Sequence, residues 1–150
     1  MQQPHSPSLG SLQRRYKLLY ALCLSTQAIP VPFQFMGGFH TAYISLHYPN
    51  TFDYVGLFSS ALNVNPGGNN LSNPAYQDVD EKLKRQMNNG YKLYWIGVGA
   101  DDVTVYQGIQ DYRKKMDSIG MKYEYFETDG GHTWQNWRKY LVDFAQKIFK

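Results

Sequence analysis

The chain has 150 residues, with 15 basic and 12 acidic side chains and a formal net charge of +3, a length that suits one domain and is marginal for two. The basic residues are spread among acidic ones, so the continuous basic stripe of a nucleic-acid-binding protein is missing and we expect no nucleic-acid partner. Cys23 is the only cysteine and the four histidines lack ligand spacing, which excludes an internal disulfide and argues against a metal ion or another cofactor.

The N-terminal segment, residues 1–35, is predicted to be irregular and distinct from residues 36–150. It carries clusters of Gln, Ser and Pro, and only the stretch 16–24 has a regular pattern. Basic residues before this apolar stretch imitate a secretory signal. Cleavage near Ala28 would leave a chain that begins at the motif described below, so we do not interpret the stretch as a signal. No segment is long and apolar enough to cross a membrane, and we expect no membrane partner.

Helical and strand patterns alternate from Met36 onward. We predict helices at residues 39–48, 78–89, 104–119 and 133–149. Strands are predicted at 54–59 and 92–99, which are apolar runs, and at 122–127, which alternates as a strand near a sheet edge does. A long loop is predicted at 63–76. This order predicts an α/β fold in which a parallel sheet has helices on both faces.

Three turns are expected at the carboxyl ends of the strands, where parallel sheets collect their catalytic groups. They are residues 35–38, 99–102 and 129–134. A turn with an acid followed by a turn with a histidine is the chain order of the α/β-hydrolase triad. The acid is either Asp101 or Asp102, and the other aspartate would only cap the next helix. His132 follows two glycines, which let the backbone turn sharply and hold the imidazole above the sheet.

Four ordered blocks of sequence make this pattern more specific. They are Met36-Gly37-Gly38-Phe39-His40-Thr41; Tyr48-Pro49 with Phe52; Gly97-Val98-Gly99-Ala100-Asp101-Asp102; and Gly130-Gly131-His132-Thr133-Trp134. Together they resemble the esterase D family, in particular the feruloyl and acetyl-xylan esterase modules of polysaccharide-degrading bacteria. The resemblance covers residues 36–150 and implies a partial α/β-hydrolase fold without its N-terminal strands.

The resemblance also implies roles for individual residues. The family's turn before the helix reads Gly-Leu-Ser-Met-Gly-Gly, which places Phe35 at the position of the nucleophilic serine. Asp102, in preference to Asp101, would be the acid and His132 the base. The backbone N–H of Met36 would be one oxyanion donor. Trp134, next to His132, would border the acyl pocket. Trp134 and Trp137 lie at helical spacing, so one of the two is expected to pack inward.

The function implied is hydrolysis of carboxylic esters, on acylated plant oligosaccharide or on small esters. A phenyl ring cannot form an acyl-enzyme, and residues 1–32 match none of the early strands, so we expect this chain to be truncated and inactive. An open sheet edge would favour self-association. One hypothesis for the break is that the residues before Met36 are an out-of-frame translation, which the coding DNA upstream of codon 36 would reveal.

A second interpretation comes from a different functional class. The 13 Tyr and three Trp either fill the core or offer flat faces to sugars. The alternative to an esterase is therefore a non-catalytic carbohydrate-binding protein, or a remnant without function. Relatives of the resembled family are often secreted or periplasmic, and the sequence leaves the localisation of this chain open.

Overall fold

The computed structural model describes residues 18–20, 34–49, 52–62 and 77–149. Within these residues a single parallel sheet has four strands, and their spatial order is their order in the chain. The strands are β1, Leu18–Tyr20; β2, Tyr54–Phe58; β3, Leu93–Gly99; and β4, Glu124–Thr128. The last three confirm the predicted strands to within two residues at each end. The predicted loop 63–76 lies outside the described residues, as does most of the signal-like stretch.

Helices alternate with these strands, as the sequence pattern predicts. In the described part of the chain they are α1, Gln34–His47; α2, Val79–Asn89; α3, Tyr106–Ser118; and α4, Trp134–Ile148. No helix among these residues is both long and apolar enough to cross a membrane. The order helix, strand, helix, strand confirms the predicted α/β class.

The two faces of the sheet carry separate apolar clusters, because successive side chains of a strand point to opposite faces. On one face, Val55 and Leu57 of β2 pack with side chains of α1, α2 and α3. On the other face, Phe58 of β2 and Trp95 of β3 pack with α4. Helices therefore cover both faces, as predicted. Full burial of a side chain such as Leu57 contributes about 1.5–3 kcal/mol to stability.

The strands differ in burial according to their place in the sheet. Every residue of β3 is buried, which explains why its sequence is a continuous apolar run. Strand β4 has exposed and half-buried positions only and lies at one end of the described sheet. Its alternating sequence is therefore that of an edge strand, as predicted.

Helix α1 begins earlier than the sequence analysis predicts. Glycine is a poor helix former, which favoured a start after Gly37-Gly38, yet the helix runs from Gln34. Gly38 serves close packing instead. A Cβ at this position would lie 1.9 Å from Oγ and 2.6 Å from Cβ of Ser60. The glycine thus lets the start of α1 approach the chain that follows β2.

A short strand lies within residues 16–24, the stretch of the N-terminal segment that has a regular pattern. Apart from this strand, the segment up to residue 33 lies outside the described residues. Strand β1 pairs in parallel with β2, with Leu18 opposite Tyr54 and Tyr20 opposite Gly56. Three residues are too few to give a periodic signal. Its strand character depends on the neighbouring β2, which the local sequence does not reveal.

Candidate active site

Two turns at the carboxyl ends of neighbouring strands form the candidate site. Residues 100–105 connect β3 to α3, and residues 129–133 connect β4 to α4. Backbone hydrogen bonds join the two turns. The N–H of Ala100 donates to the carbonyl of Thr128 at 2.8 Å, and that of Asp101 donates to the carbonyl of Gly130 at 3.0 Å. The acid-bearing turn and the histidine-bearing turn are therefore one connected unit.

Asp102 and His132 are hydrogen-bonded through their side chains. Oδ2 of Asp102 lies 2.7 Å from Nδ1 of His132. A carboxylate only accepts, so an ionised Asp102 receives this bond from Nδ1–H, which leaves Nε2 as the basic nitrogen of the ring. The Asp102 side chain is fully buried, whereas 23% of the His132 side chain is exposed. This is the arrangement in which an acid orients a histidine that faces a substrate.

The second carboxylate oxygen of Asp102 lies in an environment that lowers the stability of the fold. Oδ1 is buried and has no hydrogen-bond partner among the described residues. The backbone of Asp102 holds the turn, because its carbonyl accepts from the N–H groups of Val105 at 3.2 Å and Tyr106 at 2.9 Å. A buried acceptor without a partner costs stability.

The structure separates the two aspartates that the sequence left as alternatives. Oδ2 of Asp101 accepts the backbone N–H of Gly130 at 3.2 Å, so its side chain connects the two turns. Neither aspartate caps α3 through its side chain, because the N-cap residue is Val105 and no side-chain cap bond is present there. Asp102 is the one that reaches His132.

Glycines allow the two turns to meet. A Cβ on Gly99 would lie 2.1 Å from the carbonyl oxygen of Gly130, a clash with backbone that cannot move aside. Gly130 itself has φ 80, in the left-handed region that favours glycine. The histidine therefore follows a sharp turn that is packed directly on the end of β3.

Aromatic side chains border the imidazole on one side. The ring of Trp137 meets that of His132 edge to face, with centroids 5.0 Å apart. Trp134 packs against Trp137 at 5.2 Å but remains 40% exposed, whereas Trp137 is 9% exposed. One of the two tryptophans was predicted to pack inward, and it is Trp137. Trp134 presents an aromatic surface two residues from His132.

Tyr140 lies close enough to Asp102 to feel its charge, and the sequence pattern did not single it out. Its hydroxyl lies 3.1 Å from Oγ1 of Thr128, at the end of β4. Burial raises the pKa of Tyr140 above its ordinary value, and the negative charge of Asp102 acts in the same direction. The hydroxyl therefore stays protonated at neutral pH and can donate its hydrogen bond to Oγ1 of Thr128.

Asn136 is a second residue that the sequence analysis missed. Its side chain is buried, and Nδ2 donates to the carbonyls of Asp129 and Gly131, both at 2.9 Å. A signal was present in the sequence: Asn136 is a polar residue at helical spacing from Tyr140, on the apolar side of α4. Polar residues on such a face need internal partners.

The family model named Esterase, described as "Putative esterase", matches residues 34–148. The chain belongs to this esterase family. No curated protein matches the chain.

Solved structures with the same fold include several ester hydrolases. The chain is similar to S-formylglutathione hydrolase (FrmB) from Staphylococcus aureus, with 19% identity and a TM-score of 0.57, covering 75% of this chain and 48% of that one. It is similar to a ferulic acid esterase at 17% identity and a TM-score of 0.60, covering 76% and 48%. A third is FphF, a fluorophosphonate-binding serine hydrolase of S. aureus, at 15% and 0.60, covering 75% and 51%. The fold is thus a partial α/β-hydrolase fold, and this chain spans about half the length of the structures that it matches.

Two of the predicted site residues of this esterase-family chain lie in the first turn of α1. They are Phe35 and Met36. The first N–H groups of a helix have no partner within it, and Met36 is among the first residues of α1. The Asp102–His132 bond is described above, and Trp134 lies at the start of α4.

The serines nearest to this region are buried in the described structure. Ser45, Ser59 and Ser60 have exposed fractions of 2%, 0% and 0%. Oγ of Ser45 donates to the carbonyl of Ala42 at 2.9 Å within α1, and Ser60 packs against Gly38. None of them presents its hydroxyl on the surface, where a substrate would reach it.

Proposed function

We propose that this chain carries the acid–base pair of a carboxylic-ester hydrolase of the esterase D or feruloyl esterase type, and that the chain itself is catalytically inactive. The observation that carries the proposal is the 2.7 Å contact between Oδ2 of Asp102 and Nδ1 of His132. It joins a buried acid to a partly exposed imidazole at the carboxyl ends of β3 and β4. The membership of the esterase family supports the same reaction class.

The complete reaction would be acyl transfer through a serine. His132 Nε2 would take the proton of the serine hydroxyl as it attacks the ester carbonyl, and Asp102 would stabilise the imidazolium that forms. The backbone N–H of Met36 would donate to the oxyanion of the tetrahedral intermediate. His132 would then return the proton to the leaving alkoxide, and water would release the acyl group by the same steps.

The proposal of inactivity rests on the residue at the nucleophile position. Phe35 stands there, and a phenyl ring has no lone pair with which to form an acyl-enzyme. The burial of Ser45, Ser59 and Ser60 supports the view that no neighbouring hydroxyl replaces it. A second oxyanion donor, which normally comes from a loop after an early strand, has no counterpart in the blocks that carry the family resemblance.

We propose acylated plant oligosaccharide as the substrate class, as the family resemblance implies, with small esters as simpler substrates. The similarity to a ferulic acid esterase supports a feruloyl ester as the bond that is cleaved. Trp134, exposed beside the histidine turn, would line the acyl or sugar side of the cleft.

A second candidate is non-catalytic carbohydrate binding. The observation that favours it is the 40% exposure of Trp134, because an exposed indole offers a flat apolar face on which a sugar ring can stack. Quenching of tryptophan fluorescence by xylo-oligosaccharides, in a chain that hydrolyses no ester, would favour this candidate.

Turnover of p-nitrophenyl acetate tests the proposal. We expect the purified chain and its His132→Ala variant to release p-nitrophenol at the same rate, equal to that of a Thr133→Ala control. A rate that is higher in the wild type and lost only in His132→Ala would show a working nucleophile and contradict the proposed inactivity.

A further inference from the structure

Asn136 is a buried polar residue at the start of the helix that follows the histidine turn. It lies in the first turn of α4, four residues after His132 in the chain, and is 2% exposed. Its Nδ2 group donates one hydrogen bond to the carbonyl of Asp129 and another to that of Gly131. Both carbonyls belong to the turn that ends at His132, so one side-chain amide holds two points of that turn.

The same amide also lies against the end of β3. A Cβ on Gly99 would come within 2.9 Å of Nδ2 of Asn136 and within 2.1 Å of the carbonyl oxygen of Gly130. The turn, the amide and the strand end are therefore in direct contact. Thr133, the N-cap residue of α4, makes no side-chain cap bond. The side-chain bonds that tie this turn to α4 thus come from Asn136.

We propose that Asn136 is a positioning residue that fixes His132 against Asp102 by holding the turn 129–132 to the start of α4. The turn contains Gly130-Gly131, which resist bending less than other residues do. Without the amide, the carbonyls of Asp129 and Gly131 lose their partners, and the turn gains alternatives to the conformation in which Nδ1 meets Oδ2. Only the role of the imidazole as a base rests on the proposed function; the positioning of His132 by Asn136 does not.

The first test uses the wild-type chain and its side-chain amide protons. Because both hydrogens of Asn136 Nδ2 are engaged, we expect both to exchange with water at least about tenfold more slowly than those of the exposed Asn88. Exchange of Asn136 as fast as that of Asn88 would overturn the proposal without the need for any variant.

The second test uses Asn136→Asp, which keeps the shape but replaces the donor with an acceptor that faces two carbonyls. We expect the low-field NMR signal of the His132 Nδ1 proton, assigned by its loss in His132→Ala, to broaden beyond detection in this variant. Asn136→Ser, which cannot reach both carbonyls, should speed exchange of that proton with water by about tenfold.

The control is Tyr112→Phe, which breaks the 2.9 Å hydroxyl pair of Tyr94 and Tyr112 in the cluster on the other face of the sheet. It loses a buried hydrogen bond as well, but it should keep the Nδ1 signal. An unchanged signal in a folded Asn136→Asp or Asn136→Ser chain would contradict the proposal. None of these measurements needs turnover, so failure of the esterase proposal would leave their outcome unchanged.

Discussion

At the scale of single residues, the Asp102–His132 pair should be strongly coupled. Removal of the imidazole by His132→Ala would leave both oxygens of a fully buried carboxylate without a partner among the described residues. We expect this variant to lose about 2–3 kcal/mol of unfolding free energy, because a buried charge that loses its partner is costly. Urea denaturation at neutral pH gives this value directly.

The double variant separates the pair from its surroundings. Asp102→Asn together with His132→Ala removes the stranded charge, so part of the lost stability should return, with a coupling energy of about 1–3 kcal/mol. The exposed neighbour Thr133→Ala should change the stability by less than about 0.5 kcal/mol. A loss in the double variant equal to the sum of the losses in Asp102→Asn alone and His132→Ala alone would show that the carboxylate and the imidazole do not interact.

The sequence predicts the two members of this pair, but it does not show the contacts that hold them in place. The order of acid and histidine along the chain was visible, and so was the pair of glycines before His132. The choice between Asp101 and Asp102 depended on which side chain points across to the neighbouring turn, and adjacent residues in a turn have no periodicity that decides this. The hydrogen bond of Asp101 to Gly130 and the roles of Asn136 and Tyr140 depend on contacts between segments far apart in sequence.

At the scale of elements, the end of β3 packs so closely against the histidine turn that no additional side-chain atom fits between them. Gly99→Ala would drive a methyl group into the carbonyl of Gly130, and neither backbone can rotate away. We expect a loss of about 2–3 kcal/mol in unfolding free energy. Amide resonances of residues 129–132 should shift in the same variant, which an NMR spectrum would show.

Gly90→Ala is the matched control for this change. Gly90 follows the last residue of α2 and has φ 81, but nothing lies within 4 Å of an added Cβ. Its cost should be the backbone strain alone, about 1 kcal/mol, with no shift in the histidine turn. Equal losses in the two variants would show that the close approach at Gly99 does not constrain the site.

The elements themselves were largely predictable from the sequence. Long periodic segments such as α3 and α4, and the continuous apolar run of β3, carry their own signal. The start of α1 was predicted too late because Gly37-Gly38 was interpreted as a boundary, whereas Gly38 is required for contact with Ser60. Strand β1 has only three residues, and its pairing with β2 is information that lies outside its own sequence.

At the scale of the whole molecule, the chain holds a hydrogen-bonded acid and histidine within part of an α/β-hydrolase fold. Four parallel strands with helices on both faces place Asp102 and His132 at the carboxyl ends of neighbouring strands. The chain belongs to an esterase family but covers only about half of the hydrolases that share its fold. The family resemblance places Phe35 at the position of the nucleophile. We therefore propose that His132 is oriented as a base and has no serine to activate.

Labelling with a fluorophosphonate tests this central claim most directly, because the reagent phosphonylates only a serine whose hydroxyl is activated, with loss of fluoride. We expect the intact mass of the chain to stay unchanged while an active serine hydrolase in the same tube is fully labelled. A single adduct on a serine of this chain, absent from the His132→Ala variant, would contradict it and would identify the nucleophile.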